Sequence, residues 1–258
     1  VAISAAVGLG TGSSVTLNGG VLQSTGASVD LGTGRGVVLG TGGGRVDVTG
    51  SNALTVSGVV SGSGALEKSG PGSMTLSGAN TLSGGALSFG SSGNLGDASA
   101  TNTLAVSGGA TLGLTAGTVN LGVNRTLSIG AGNAVLDVAT GATLTLPGVV
   151  SGNALTKTGA GILALTGANT LSGGVTVNAG VVRVGNDTAL GSGLVTLATG
   201  TTLSSDSVTA RVMANGLVLP ATVTLGDATN SGALTLSGNA ALSGATTLTV
   251  ESAVTLSG

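Results

Sequence analysis

The chain has 258 residues, 51 of them Gly, with 7 Lys or Arg against 9 Asp or Glu and a net charge of −2. Cys, His, Trp and Tyr are absent and Phe89 is the single aromatic, which excludes a disulfide framework, thiolate or imidazole metal ligation and aromatic platforms for sugars. Seven cations cannot make the basic footprint that nucleic acid demands, and 41% hydrophobic residues are enough to bury a core rather than leave the chain disordered.

At the start, Val1-Ala2-Ile3-Ser4-Ala5-Ala6 has neither the basic region nor the apolar run of a signal peptide. Further on, apolar runs are broken by Gly, Ser or Thr well short of the roughly 20 residues of a spanning helix. The chain then reads as short strands. Apolar–polar–apolar triplets followed by Gly recur at Val37-Val38-Leu39, Met74-Thr75-Leu76, Val119-Asn120-Leu121, Leu127-Ser128-Ile129, Val182-Arg183-Val184, Val223-Thr224-Leu225 and Leu234-Thr235-Leu236. Period-two alternation in β-branched residues is the strand signal, and Gly, Asn and Ser between the triplets supply the positive φ of tight turns. The alternation points Leu76 and Leu165 inward and Thr75 and Ala164 outward. Helical spacing is not sustained anywhere, so almost no helix is expected.

These strands repeat. Ala65–Gly85 reappears as Ala154–Gly174, taking Lys68 to Lys157, and Arg35, Asp47 and Gly58 return as Arg125, Asp137 and Gly148. A more diverged third copy closes at Val254-Thr255-Leu256-Ser257-Gly258. The approximate units are 1–58, 59–148 and 149–258, within one repetitive segment spanning 1–258. Repeated strand–turn units that stack on their own copies form a solenoid. The fold class is therefore all-β, a β-solenoid of about twelve coils, each of roughly 20–25 residues.

Enzymatic chemistry finds little footing. Without His, a nucleophilic Ser would need a Lys base, yet neither Lys68 nor Lys157 stands in S-x-x-K and G-x-S-x-G is absent. Both lysines are expected to snorkel from turns with the charge in water. Asp47 and Asp137 lie four coils apart, roughly 19 Å, beyond the roughly 5–9.5 Å of paired glycosidase carboxylates; Asp30 with Asp47 is the closer pair to test. Otherwise these acids should pair with Arg35 or Arg45 or stay solvated. Gly32–Val37 and Gly191–Thr196 lack the third Gly of a dinucleotide loop. Asn80 and Asn169, in Gly-Ala-Asn-Thr, read as turn residues in the left-handed region. No catalytic residue, cofactor-binding residue, metal ligand or cofactor is assigned.

Residues 155–186, from Leu155-Thr156-Lys157-Thr158-Gly159 to Val182-Arg183-Val184-Gly185-Asn186, resemble the autotransporter-associated β-strand repeat of bacterial type V secretion passengers. The resemblance extends over Ala65–Gly85 and, less closely, Ser205–Gly258; Leu82 and Leu171 stand where the family usually has an aromatic. It implies a right-handed parallel β-helix, outside the cell or at the bacterial surface, exported through an outer-membrane barrel not present in this chain. It implies no activity, since such repeats mostly form a shaft. The expected function is a non-enzymatic stalk or filament-forming segment supporting adhesion or surface display, with a host or cell-surface ligand unidentified. The alternative is a face that binds or cleaves polysaccharide or binds ice, for which Thr143-Leu144-Thr145 and Thr247-Leu248-Thr249 are the suggestive rows. No charge precedes Asp30 and only Glu251 follows Asp227, so little repulsion opposes end-to-end self-association into rods.

Overall fold

The computed structural model describes every residue except 79, 91–94 and 96–102, and every side chain of the others but that of Leu82. The described residues form parallel strands of 2–5 residues, too short to be stable alone and stabilised by the copies above and below. The described strands fall on three faces and follow the same order from circuit to circuit. The first face is a 12-stranded sheet running from Ala2–Ile3 to Ala240–Leu242. The second holds Ser28–Asp30, Ala53–Val56 and Ser73–Leu76, and then seven strands from Thr118–Asn120 to Thr247–Val250. The third holds eight strands from Ser14–Leu17 to Thr170–Leu171, and then Arg211–Met213, Leu234–Leu236 and Val254–Leu256.

The architecture is a parallel β-solenoid. Twelve strands on the first face give about eleven turns against the twelve expected, and a rise of about 4.8 Å per turn makes a shaft roughly 53 Å long. All seven triplets fall on or against strands. Among the described residues there is no α-helix; a 3-10 turn, Ala6–Leu9, lies in the first coil.

Alternation sorts the side chains. Leu76 and Leu165 are fully buried and Thr75 is half-exposed on the outer side. Ala164 also faces out by alternation, yet it is buried because its small side chain sits between Thr145 and Arg183 of the neighbouring coils. Inward residues stack in columns, such as Leu87, Leu112 and Leu136 on the first face. Corners turn on glycine where no side chain fits: Gly62 and Gly152 have φ of 121° and 102°, and a Cβ there would strike the carbonyl oxygens of Leu39 and Ile129. Asn133 is the one described non-glycine residue with positive φ, 66°.

Candidate functional site

Lys157 departs from expectation most. It does not snorkel. The alternation that buries Leu155 also turns Lys157 inward, where it continues the Leu87–Leu112–Leu136 column and is followed by Val177. Its side chain is 0% exposed. The ammonium bends to the corner and donates to the carbonyls of Thr158 (2.7 Å), Gly159 (2.6 Å) and Ala179 (3.2 Å), so all three of its protons have acceptors. Burial lowers its pKa from 10.5 to about 8, with the Asp137 carboxylate opposing the shift. Lys68, its counterpart, is half-buried and donates to Ser69 and Gly70 carbonyls at 2.8 and 2.6 Å. Burial lowers its pKa too, against Asp47. Each ammonium is bound to backbone rather than to a Ser hydroxyl, so it serves as a corner clamp. The signal was present in Leu-Thr-Lys-Thr: a residue two after an inward Leu is itself inward.

Asn169 is likewise not a left-handed turn residue, since its φ is not positive. Asn80 and Asn169 are both buried, 1% and 3% exposed. The Asn169 side chain accepts from the Val150 N–H at 2.8 Å and donates to the Ala189 carbonyl at 2.6 Å. Asn80 accepts from the Val60 N–H at 3.0 Å. Each side chain replaces a ladder bond at the corner entering the third face. Asn215 does similar work, donating to Gly191 and Gly193 carbonyls at 3.1 and 2.8 Å.

The acids find partners other than those expected. Asp30 and Asp47 stand on different faces and do not form a pair. Asp30 accepts from the Gly32 N–H and the Ser57 hydroxyl, both at 2.9 Å. Asp47 accepts from Gln23 at 2.7 Å and Asp137 from Thr158 at 2.7 Å. Arg35 binds no carboxylate among the described residues; its guanidinium donates to the carbonyls of Ala6, Gly10 and Gly12 and pins the first turn. The glycine-rich segments are corners with occupied amides: Gly36 N–H donates to Ser13 and Ser192 N–H to Leu171.

The ion pairs among the described residues gather at one corner in the last third. Arg183 meets Asp227 at 2.8 Å and Arg211 meets Asp206 at 3.2 Å. Asn230 lies between them: with its amide turned so that the nitrogen faces the Asp206 carbonyl, it donates there and accepts from Arg183. Burial would raise the Asp227 pKa, but hydrogen bonds from the Asn230 N–H, the Arg183 guanidinium and the Thr229 N–H outweigh it and hold it at about 2.

Outward residues make long neutral columns. On the first face Ala86, Thr111, Val135, Thr156, Thr176, Thr196, Val218 and Ala241 stack in register. On the third, Thr16 begins a column that runs through Val38, Ser61, Thr81, Ala105 and Ser128. On the second, the paired threonines Thr143 and Thr145 are followed by Ile162 and Ala164, so the double row does not continue. A depression of about 700 Å³ is bordered by Glu67, Lys68 and Phe89, and the one aromatic there is itself buried.

A neutral, regular parallel β-solenoid is the architecture of repeat shafts. Comparison with family models narrows this: the passenger-associated-transport-repeat, of the autotransporter-associated repeat family, matches residues 66–87 and 155–184. The chain carries this repeat twice, in two of the three segments where the resemblance is visible, and each match takes in a corner lysine. No curated protein and no solved structure matches the chain. No helix of the described residues is long and apolar enough to cross a membrane.

Proposed function

We propose that the chain is a non-enzymatic stalk or filament-forming segment of an exported bacterial surface protein, holding adhesive or other modules away from the cell. The observation that carries this is the run of in-register outward columns of Thr, Val, Ser and Ala, eight rungs long on the first face. A surface that repeats from coil to coil gives length without singling out a position. The repeat match supports location outside the cell or at its surface and export through an outer-membrane barrel. Polysaccharide or ice binding is the weaker reading, because the columns of Thr143 and Thr145 on the second face continue as Ile162 and as Ala164 and Arg183.

Lengthwise self-association belongs to the same proposal.

A deletion tests the stalk. Removing residues 59–148 joins Gly58 to Val149, the bond that Gly148 makes natively. Four coils are lost, so a reporter held beyond the chain should approach its anchor by about 19 Å and remain displayed. Loss of folding or of display would refute a purely modular shaft. Sedimentation of the 258-residue chain across a concentration series tests association: rods that persist in salt are expected, and a monomer throughout refutes the filament.

A further inference from the structure

Among the asparagines of the chain, only Asn124 and Asn186 stand two residues before a Thr or Ser, in Asn124-Arg125-Thr126 and Asn186-Asp187-Thr188. That spacing is the acceptor pattern for N-linked sugar, a modification confined to accessible loops. The structure adds where they lie. Asn124 is exposed in the turn after Thr118–Asn120, and Asn186 is half-exposed in the turn after Val181–Val184. These strands belong to one sheet, and Asn120 connects through Thr145 and Ala164 to Arg183. Both acceptors therefore sit on the same long edge of the solenoid, three coils or about 14 Å apart.

We infer that Asn124 and Asn186 are paired N-glycosylation sites on one edge of the shaft. The Asn186 side-chain oxygen accepts from both the N–H and the hydroxyl of Thr188, each at 2.9 Å, which leaves Nδ2 without an acceptor among the described residues. The Asn124 amide has no hydrogen-bond partner among them. Asp187 fastens the second turn by accepting from the Val212 N–H at 3.1 Å, so the acceptor is presented from a fixed corner. The asparagines buried at other corners, Asn80, Asn169 and Asn215, spend their amides on backbone and lack the Thr. The surface also gives such sugars a use. At these turns Val123, beside Asn124, is 71% exposed and Val208 is 77% exposed, and a sugar every few coils would keep such ridges from associating sideways.

In the transfer, Nδ2 attacks the anomeric carbon of a nucleoside-diphosphate sugar. The bond from that carbon to the diphosphate oxygen breaks, the nucleoside diphosphate leaves with the electron pair, and one Nδ2 proton passes to a base of the transferase. The test is to incubate the folded chain with a soluble bacterial N-glycosyltransferase and UDP-glucose and to map peptides by mass. One hexose on each of Asn124 and Asn186 is expected, and none on another Asn. Asn124→Gln and Asn186→Gln should each remove one, as should Thr126→Ala and Thr188→Ala with circular dichroism unchanged. An unmodified site in the folded chain, while a control acceptor peptide is modified in the same tube, overturns the inference; so does modification that appears only after denaturation.

Discussion

Lys157 makes the stability of this chain rise in alkali, opposite to what acid-rich proteins lead one to expect. Its pKa is about 8 when folded against 10.5 for a free side chain. Between those values the folded state has released a proton that the unfolded chain still holds. The unfolded state then binds more protons, so stability increases with pH through this window and is level below it. A gap of about 2.5 pKa units at 1.36 kcal/mol each gives at most about 3 kcal/mol. The window is unusually clean, because the chain has no His, Cys or Tyr and its only lysines are Lys157 and Lys68. Lys68 is shifted in the same direction and adds to the rise. The assay is urea denaturation by far-ultraviolet circular dichroism at several pH values from about 7 to about 10.5. The midpoint is the quantity to read, since repeat arrays depart from two-state behaviour. Lys157→Met puts an uncharged chain of similar length into the leucine column, and most of the rise should vanish. A wild-type midpoint that is flat or falls over this range would refute the reasoning, as would a full rise persisting in Lys157→Met.

Asn169→Ala should destabilise by about 2–4 kcal/mol, because it strands the buried Val150 N–H and Ala189 carbonyl; Asn178→Ala, at an exposed site, should be nearly neutral in the same thermal melts. Leu165→Asp buries an unpaired charge at a fully buried position and should abolish folding of its coil, whereas Thr166→Asp, half-exposed, should be mild; equal tolerance in a proteolysis assay would mean the register is wrong. Asp227, held at about 2 from an ordinary 3.8, contributes stability that is complete above pH 3.8 and drains away as pH falls through about 2. Asp227→Asn should flatten that acid limb of the melting temperature, and an unchanged limb would place the acid sensitivity elsewhere.

The fold was legible because the strand alternation is local and the repeat is long. Met74-Thr75-Leu76 states which side chains face in, and Ala154–Gly174 restates Ala65–Gly85 closely enough to impose stacking. The corners were not legible to the same degree. Lys157 obeys the alternation, but expectation gave weight to its charge over its position. Asn80 and Asn169 show why composition alone misleads at turns. Asn tolerates positive φ, yet it can also supply a carbonyl and an amide where a strand stops, and only the neighbouring coil decides which is used. The Arg183–Asp227 pair joins residues 44 positions apart, a separation that no local pattern announces.

The spacing of the side-chain hydrogen bonds explains why this chain suits a shaft. Asn153 binds Gly130, Ser172 binds Gly152, Lys157 binds Ala179 and Ser237 binds Met213. In each case the partner lies in the adjacent coil, and the Arg183–Asp227 pair reaches one coil further. A coil therefore senses little beyond its neighbours, and stability is built from local interfaces rather than from one global core. Such a chain can gain or lose whole coils without re-solving its packing, provided each new junction restores the corner glycine, the inward column and the buried Asn bond. Because Gly58 and Gly148 precede the same Val-Val-Ser-Gly strand, length can change in four-coil steps.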